Sequence, residues 1–219
     1  MVVDWKLIDT VFIDMDGTLL DLNFDNEFWS RHLPIRYSEL FNQPLGKVQN
    51  KISSLLLKHV GTLNWYSAEF WSNELCVDIL ELKREISHLI RERPGSMIFL
   101  KTLTSMNKSR ILLTNADKGD LRLKCSKTDL LHNLDLIISS HDYGFPKESL
   151  KFWEQLRQNI NFDPKRTLFI DDSEDVLQSA KTYGIAFLTG IEKPDSKARK
   201  NQYCDFNALQ HFDDLIRAN

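Results

Sequence analysis

The sequence predicts an α/β fold, a parallel sheet flanked by helices, with a helical insertion after the first strand. Two observations predict the sheet: short, continuously apolar segments alternate with amphipathic ones, and polar or acidic residues follow several of the apolar segments directly. Such alternation is typical of parallel strands joined by helical crossovers. A long stretch of helical periodicity with no convincing strand predicts the insertion.

The first strand is predicted at residues 7–14, LIDTVFID, where β-branched and aromatic residues run continuously. Residues 22–93 are predicted to be helical, with one apolar stripe over residues 45–60 and a second helix over 65–75 that Asn64 would cap. The later elements are predicted in this order: helix 97–106, strand 110–114, helix 116–124, strand 136–139, helix 147–159, strand 167–171, a helix to Tyr183, strand 185–188 and a terminal helix 208–217.

Composition excludes several function classes. The 219 residues are 42% hydrophobic and 27% charged, with a formal net charge of −3 and no basic stripe, which excludes a general nucleic-acid binder. No apolar run approaches the ~20 residues of a transmembrane helix, so we expect no membrane association. Asp4 and Lys6 interrupt the start, which does not fit a signal peptide, and three separated cysteines fit reduced thiols. The expected location is therefore cytoplasmic.

Four predicted strand ends carry polar residues that fit one kind of chemistry. They are Asp14 and Asp16 on either side of Met15, Thr114 with Asn115, Lys147, and Asp171 with Asp172. Open α/β sheets bind ligands beyond the carboxyl ends of their strands. Carboxylates that converge there repel one another unless a hard cation lies among them, and Mg²⁺ prefers oxygen ligands. A lysine and hydroxyl or amide donors suit phosphate, so the pattern predicts a site for a phosphorylated substrate and a divalent cation.

Each motif alone also fits a structural role. An isolated DxD is a common polar turn, Thr-Asn often caps a helix, and two adjacent Asp residues often do the same. The four motifs in chain order, each at a strand end, favour a functional site over four unrelated turns.

The stretches DMDGTL, LLTN, FPKE and FIDDS resemble the four motifs of the haloacid dehalogenase (HAD) superfamily of phosphohydrolases. Over nearly the whole chain, including TLNWY in the insertion, the sequence is similar to the bacterial GMP/IMP 5′-nucleotidases of that superfamily. The resemblance implies a Rossmann-like HAD core domain of residues 1–20 and 94–219 and an α-helical cap domain of residues 21–93. It also implies Mg²⁺ as cofactor and purine nucleoside 5′-monophosphates as small-molecule substrates.

The resemblance assigns a role to each motif. Asp14 matches the nucleophile that forms an aspartyl phosphate, and Asp16 matches the general acid/base. Thr114 and Lys147 would contact the phosphoryl group. The metal would be held by Asp14, the main-chain carbonyl of Asp16, and Asp172.

The metal motif departs from the family pattern. Many relatives have Asp or Asn where this chain has Val176, and the nearest acid, Asp175, comes one residue early. Either Asp171 or Asp175 would help hold the metal in place of the missing residue, and Asp171 is expected beside the metal, in an outer position or as an alternate ligand to Asp172.

Substrate contacts are expected from Asn115 and from the backbone near Met15. In the insertion the expected polar contacts are Asn23, Asp25, Asn64 and Tyr66. Trp65 and Trp71 are expected to be core residues because they recur at helical spacing, although aromatic faces of the insertion also suit a purine base. The insertion would close over the site about connections near residues 20–21 and 93–95.

Three other functions fit the same motifs. They are a phosphatase or phosphomutase for a phosphosugar, a dehalogenase, and a phosphate-binding protein without catalysis. Release of free phosphate separates a hydrolase from a mutase. Asp16 favours phosphoryl transfer over dehalogenation, because displacement of a halide does not need an acid/base at that position.

Overall fold

The computed structural model describes residues 4–216. Over that range the centre of the protein is a six-stranded sheet whose neighbouring strands all pair in parallel. The strands are β1 Thr10–Ile13, β2 Ser109–Thr114, β3 Leu136–Ser139, β4 Thr167–Ile170, β5 Phe187–Ile191 and β6 Ala208–Leu209. Their order is β3-β2-β1-β4-β5-β6, so the direction of winding reverses between β1 and β4. A crevice for ligands is expected at that point.

Helices cover the sheet and fill the insertion between β1 and β2. The α-helices are α1 Asn23–Glu27, α2 Leu33–Leu40, α3 Leu45–Leu57, α4 Ala68–Leu75, α5 Ile79–Glu85, α6 Ser96–Ser105, α7 Lys118–Cys125, α8 Leu150–Asn159, α9 Glu174–Tyr183 and α10 Asp213–Ile216. A π-helical stretch, Phe28–His32, joins α1 to α2. Short 3-10 helices occur at Trp5–Leu7, Leu63–Tyr66, Ser87–Leu89, Leu130–Asn133, Ser140–Asp142 and Pro164–Arg166.

Both faces of the sheet are buried, which explains the continuous apolar character of β1. Successive side chains of a strand point to opposite faces. Val11 and Ile13 accordingly join one apolar cluster, and Phe12 joins the other, which includes Trp153 of α8. The first cluster continues without a break into the insertion, where it includes Phe28 and other buried side chains. The insertion and the sheet therefore share one apolar core.

The two connections of the insertion run side by side. The Arg93 amide donates to the Leu19 carbonyl at 2.8 Å, and the Asp21 amide donates to the Arg91 carbonyl at 2.9 Å. The Arg93 guanidinium also donates to the Thr18 carbonyl at 3.1 Å. These bonds place both ends of the insertion at the carboxyl end of β1.

Most predicted elements are confirmed, and the differences occur at element ends. The first strand begins at Thr10 because the preceding residues form a short 3-10 helix capped by the Asp4 side chain. Asn64 does not cap α4: the Ser67 hydroxyl accepts from the Phe70 amide at 3.1 Å and begins that helix. Asp117 and Ser149 likewise cap α7 and α8, so both helices begin later than predicted.

The end of the chain differs more. The last predicted strand, 185–188, is found two residues later as β5, and the predicted terminal helix begins instead with strand β6, which pairs with Gly190 and Ile191 of β5. Pairing with a neighbouring strand is a tertiary effect that local periodicity does not contain. Helix α10 covers the later part of the predicted helix, and Arg217 lies outside the described residues.

No helix between residues 4 and 216 has the length and apolar character that crossing a membrane requires.

Candidate active site

The first acidic motif directly follows β1, beside the reversal of strand order. The Asp14 amide donates to the Ile170 carbonyl of β4 at 2.9 Å, which fixes the start of the turn between the two central strands. The Gly17 amide then donates to the Leu20 carbonyl at 2.8 Å, in a turn where Gly17 adopts a φ of +84°. This turn holds Asp14 and Asp16 in the same cavity, while the Met15 side chain is buried in the core between them.

Lys147 is not at a strand end as predicted but in the turn between the 3-10 helix Ser140–Asp142 and α8. It joins two carboxylates that follow neighbouring strands. Its Nζ lies 2.5 Å from Asp14 Oδ1, 2.7 Å from Asp171 Oδ2 and 3.1 Å from the Leu113 carbonyl. Its side chain is almost completely buried, so the ammonium has little contact with water. The charge of Lys147 is therefore held where it can compensate Asp14 and any anionic group bound beside it.

Three carboxylates form a group that fits a divalent cation. One oxygen each of Asp14, Asp171 and Asp172 lies within 4.8 Å of the others. Both oxygens of Asp171 already accept hydrogen bonds, from Lys147 and from the Ser173 amide at 2.9 Å. Asp14 Oδ2, in contrast, is buried with no hydrogen-bond partner. This difference favours Asp14 over Asp171 as a direct ligand, because Asp171 is already held by Lys147 and the Ser173 amide.

The electrostatics of these acids fit a site that binds a cation. Burial raises the pKa of Asp172 well above its usual range, and the Asp14 and Asp171 carboxylates raise it further. Burial likewise raises the pKa of Asp14, although Lys147 opposes this. A cation bound among them would stabilise the ionised forms, which is the behaviour expected of an oxygen-ligand metal site.

Val176 takes the position at which many relatives have an Asp or Asn beside the metal. Val176 is buried and lines the cavity, and its amide donates to the Ser173 hydroxyl at the start of α9. Asp175 is exposed and does not line the cavity. The structure therefore brings Asp171, rather than Asp175, next to the candidate metal ligands.

The second and third motifs are linked to each other and to the insertion. Asn115 Oδ1 accepts from the Lys147 amide at 3.0 Å, and Asn115 Nδ2 donates to Glu148 Oε2 at 2.9 Å. The other oxygen of Glu148 accepts from the Tyr66 hydroxyl of the insertion at 2.6 Å. Thr114 also lines the cavity, with its hydroxyl accepting from the Ala116 amide at 3.0 Å. Glu148, the last residue of FPKE, therefore connects the site to the insertion, a contact that the motif alone does not predict.

The cavity above these residues encloses about 310 Å³ between the sheet edge and the insertion. Trp29, Trp65 and Tyr66 of the insertion line it, so Trp65 is not the core residue that helical spacing predicts. It belongs to a 3-10 helix before α4, whereas Trp71 is buried in the core as expected.

Two predicted polar contacts do not line the cavity. Asn23 is buried next to it, and Asn64 is exposed on the 3-10 helix.

A buried charge cluster, formed by Asp16, Asp25, Lys83, Asp120 and Lys124, lies on the insertion side of the cavity. Lys83 and Lys124 are both almost fully buried. Sequence motifs missed all of these except Asp16 and Asp25. One signal was present: Asp120 and Lys124 stand four residues apart and share the buried face of α7 with Leu123, an unusual place for charges unless they are paired.

Asp16 is the member of this cluster that also belongs to the first acidic motif. Burial raises its pKa to about 7, with Lys124 opposing this effect and the Asp25 and Asp120 carboxylates adding to it. A carboxyl group with such a pKa carries a proton part of the time near neutral pH, as a group that alternates between acid and base must.

Gly17→Ala is expected to disturb the metal site. A Cβ at this position would lie 2.6 Å from Asp172 Cγ and 2.9 Å from Pro194 Cβ, so the Asp172 carboxyl group would have to move. We expect the variant to bind Mg²⁺ more weakly and to be destabilised by about 1–3 kcal/mol from its left-handed backbone alone. A Mg²⁺ binding titration and thermal unfolding measure the two effects.

Gly61→Ala is the matched control, since Gly61 has a φ of +76° and no atom within 4 Å of an added Cβ. It should lose similar stability and keep its affinity for Mg²⁺. Equal Mg²⁺ affinity in the two variants would contradict a role for the close approach of Gly17 to Asp172.

The chain is similar to known proteins in both sequence and fold. A sequence model of haloacid dehalogenase-like hydrolases matches residues 8–184. The chain is 37% identical over 218 residues to the GMP/IMP nucleotidase YrfG of Escherichia coli strain K12, covering 98% of this chain and 96% of that protein. Among solved structures, an HAD phosphatase from Thermococcus onnurineus superposes with a TM-score of 0.79 at 20% identity, covering 96% of this chain and 97% of that one.

The fold is also found in an enzyme of different activity. The L-2-haloacid dehalogenase of Xanthobacter autotrophicus superposes with a TM-score of 0.65 at 17% identity, covering 96% of this chain and 97% of that one. Structural likeness at this level of identity establishes the fold, and the side chains of the site must decide the chemistry.

Proposed function

Because the chain belongs to the haloacid dehalogenase-like hydrolase family, we propose that it is a Mg²⁺-dependent phosphomonoesterase that hydrolyses purine nucleoside 5′-monophosphates, GMP and IMP among them. Its class is that of a phosphoric monoester hydrolase. The observation that carries the proposal is the contact of one buried lysine, Lys147, with both Asp14 and Asp171 inside a cavity that also contains Asp16 and Asp172. The nearly full-length similarity to a GMP/IMP nucleotidase supports the choice of substrate.

Asp14 is the proposed nucleophile. One of its carboxylate oxygens attacks phosphorus and forms an aspartyl phosphate while the ester bond to the leaving oxygen breaks, and the other oxygen remains for the metal. Lys147, 2.5 Å from Asp14 Oδ1, compensates the negative charge that accumulates between the carboxylate and the phosphoryl group. Thr114 and the amides near Met15 and Asn115 would hold the phosphoryl oxygens.

Asp16 is the proposed acid/base. It donates its proton to the leaving 5′-oxygen in the first step and takes a proton from the water that attacks the aspartyl phosphate in the second, so it ends as it began. Asp14, Asp172 and the Asp16 carbonyl would hold Mg²⁺. When bound, Mg²⁺ supplies positive charge to the phosphoryl oxygens.

The insertion, residues 21–93, is the proposed cap domain, with residues 1–20 and 94–219 as the core domain. Its aromatic side chains, Trp29 and Trp65, offer stacking surfaces for a purine on the cavity wall. The Tyr66–Glu148 hydrogen bond would hold the cap beside the phosphate site and exclude water from it.

The proposed location is the cytoplasm. Cys76, Cys125 and Cys204 are free thiols, as is usual in that reducing compartment.

A panel of phosphate esters tests the substrate. We expect kcat/KM for GMP and IMP to exceed that for sugar phosphates by at least about tenfold, since a purine adds stacking worth about 1–3 kcal/mol. Released inorganic phosphate is the readout, because a phosphomutase would return the phosphate to its substrate. Faster turnover of several sugar phosphates would contradict the nucleotide assignment and leave the phosphatase assignment standing.

A further inference from the structure

Lys124 occupies a central position in the buried charge cluster. Its Nζ lies 2.7 Å from Asp16 Oδ1, 2.8 Å from Asp25 Oδ2 and 3.1 Å from Asp120 Oδ2. An ammonium group has three hydrogens to donate, and here three carboxylates surround it. Its side chain is only 1% exposed, so water cannot replace any of these partners.

The cluster fixes Lys124 from two directions. Asp120 is four residues earlier on α7 and is itself held by Lys83 of α5, at 2.8 Å. Asp25 of α1 is held by both lysines, since Lys83 Nζ lies 3.1 Å from its second oxygen. Lys83 makes no ion pair with Asp16. Both lysines are therefore buried in the same cluster, but only Lys124 contacts Asp16.

We propose that Lys124 is a positioning residue that holds the Asp16 carboxyl group in place for proton transfer to the leaving oxygen of the substrate. The inference rests on the proposed function, in which Asp16 is the acid/base. An ammonium can only donate, so the Asp16 oxygen that faces it, Oδ1, accepts, and the transferable proton is on Oδ2. Lys124 thus fixes both the orientation of the carboxyl group and the oxygen that carries the proton.

The role predicts a dependence on the leaving group. A nucleoside alkoxide must be protonated as it leaves, whereas p-nitrophenolate is a stable anion that leaves without a proton. The value of kcat/KM reports the steps up to transfer of the phosphoryl group to Asp14 and excludes later hydrolysis of the aspartyl phosphate. A misplaced Asp16 should therefore lower kcat/KM for an alkyl ester and leave the value for the nitrophenyl ester nearly unchanged.

The experiment compares Lys124→Met with Lys83→Met in the full-length, Mg²⁺-loaded enzyme. For Lys124→Met, kcat/KM with GMP should fall about 100-fold and that with p-nitrophenyl phosphate less than about threefold, because general acid catalysis contributes about 10²–10⁴. Lys83→Met removes the same charge from the same cluster and should leave the ratio of the two values unchanged. An equal loss for both esters in Lys124→Met, or the same change of ratio in Lys83→Met, would overturn the proposal.

Further variants keep the test decisive. If Lys124→Met does not fold, Lys124→Gln retains a polar side chain and should change the ratio in the same direction; an unchanged ratio overturns the proposal. In an Asp16→Asn background, Lys124→Gln should not change the ratio further, since no proton remains to be positioned. If the panel selects a sugar phosphate, that alkyl ester replaces GMP. Full activity in Asp14→Asn would instead refute the proposed function itself.

Discussion

Asp14→Asn should reduce phosphomonoester hydrolysis by about 10⁴-fold or more, which is the scale of loss when an enzyme loses its nucleophile. An amide oxygen is a far weaker nucleophile than a carboxylate and cannot form the acyl phosphate. The side chain keeps its size, and Lys147 can still contact its oxygen, so the fold should remain intact. The loss should appear equally with GMP and with p-nitrophenyl phosphate, because both need the same attack on phosphorus.

Phosphate release and capture of the phosphorylated intermediate measure this effect. Wild-type enzyme quenched during turnover should carry acid-stable phosphate on the protein, and Asp14→Asn should carry none. Asp175→Asn is the matched control, since Asp175 is exposed and separate from the three-carboxylate group. Comparable activity in wild type and Asp14→Asn would refute the assignment of the nucleophile.

Asp172→Asn should reduce phosphomonoester hydrolysis by at least about 100-fold. The same variant should stabilise the metal-free protein against unfolding at about pH 8. In the folded protein the pKa of Asp172 is raised well above its usual range by burial and by the Asp14 and Asp171 carboxylates. The folded state therefore binds the proton more tightly than the unfolded state does. The free energy of unfolding then falls as pH rises from the unfolded pKa of about 4 through the raised folded value.

The pKa values of Asp14, Asp16 and Asp171 are raised in the same direction. That of Asp120 is lowered: burial would raise it, and Lys124 and Lys83 outweigh burial, so its stabilising effect is lost only in acid. Metal-free wild type should therefore unfold at a lower temperature at about pH 8 than at about pH 6.

Thermal unfolding with and without Mg²⁺ tests these expectations. At about 100 times its Kd, Mg²⁺ should stabilise wild type by about 2.7 kcal/mol, or roughly 5–10 °C for a chain of this size. Asp172→Asn should show little of this shift, and its metal-free form should unfold at least about 2–4 °C above wild type at about pH 8. A full Mg²⁺ shift in Asp172→Asn would exclude Asp172 as a ligand.

The strand ends could be predicted because they depend on local pattern. A continuous apolar run such as VFI in β1, followed at once by acids, indicates both a buried strand and the edge at which its polar residues emerge. Parallel pairing then brings Asp14, Thr114 and Asp171 together without any knowledge of side-chain packing. The glycine at position 17 also has a local explanation, since a tight turn that passes close to the Asp172 carboxylate needs a residue without a Cβ.

The buried charge cluster and the Glu148 link could not be predicted in this way. Their residues come from elements far apart in sequence, and Lys83, Asp120, Lys124 and Glu148 look like ordinary surface charges until the packing of these elements is known. Lys83 of α5 reaches Asp120 of α7, and Lys124 of α7 reaches Asp25 of α1, only when the insertion folds against the core. β6 was missed for a similar reason, because a two-residue strand is defined by its neighbour β5.

The apolar core common to the insertion and the sheet limits how this scaffold can acquire new specificity. Exchanging the insertion for one from a distant relative would remove Phe24, Phe28 and Trp71 from a packed interior and leave a mismatched surface on the Rossmann-like half. Changes of substrate preference are therefore more accessible through single replacements on the cavity wall, at positions such as Trp29 and Trp65, than by transplanting the whole module.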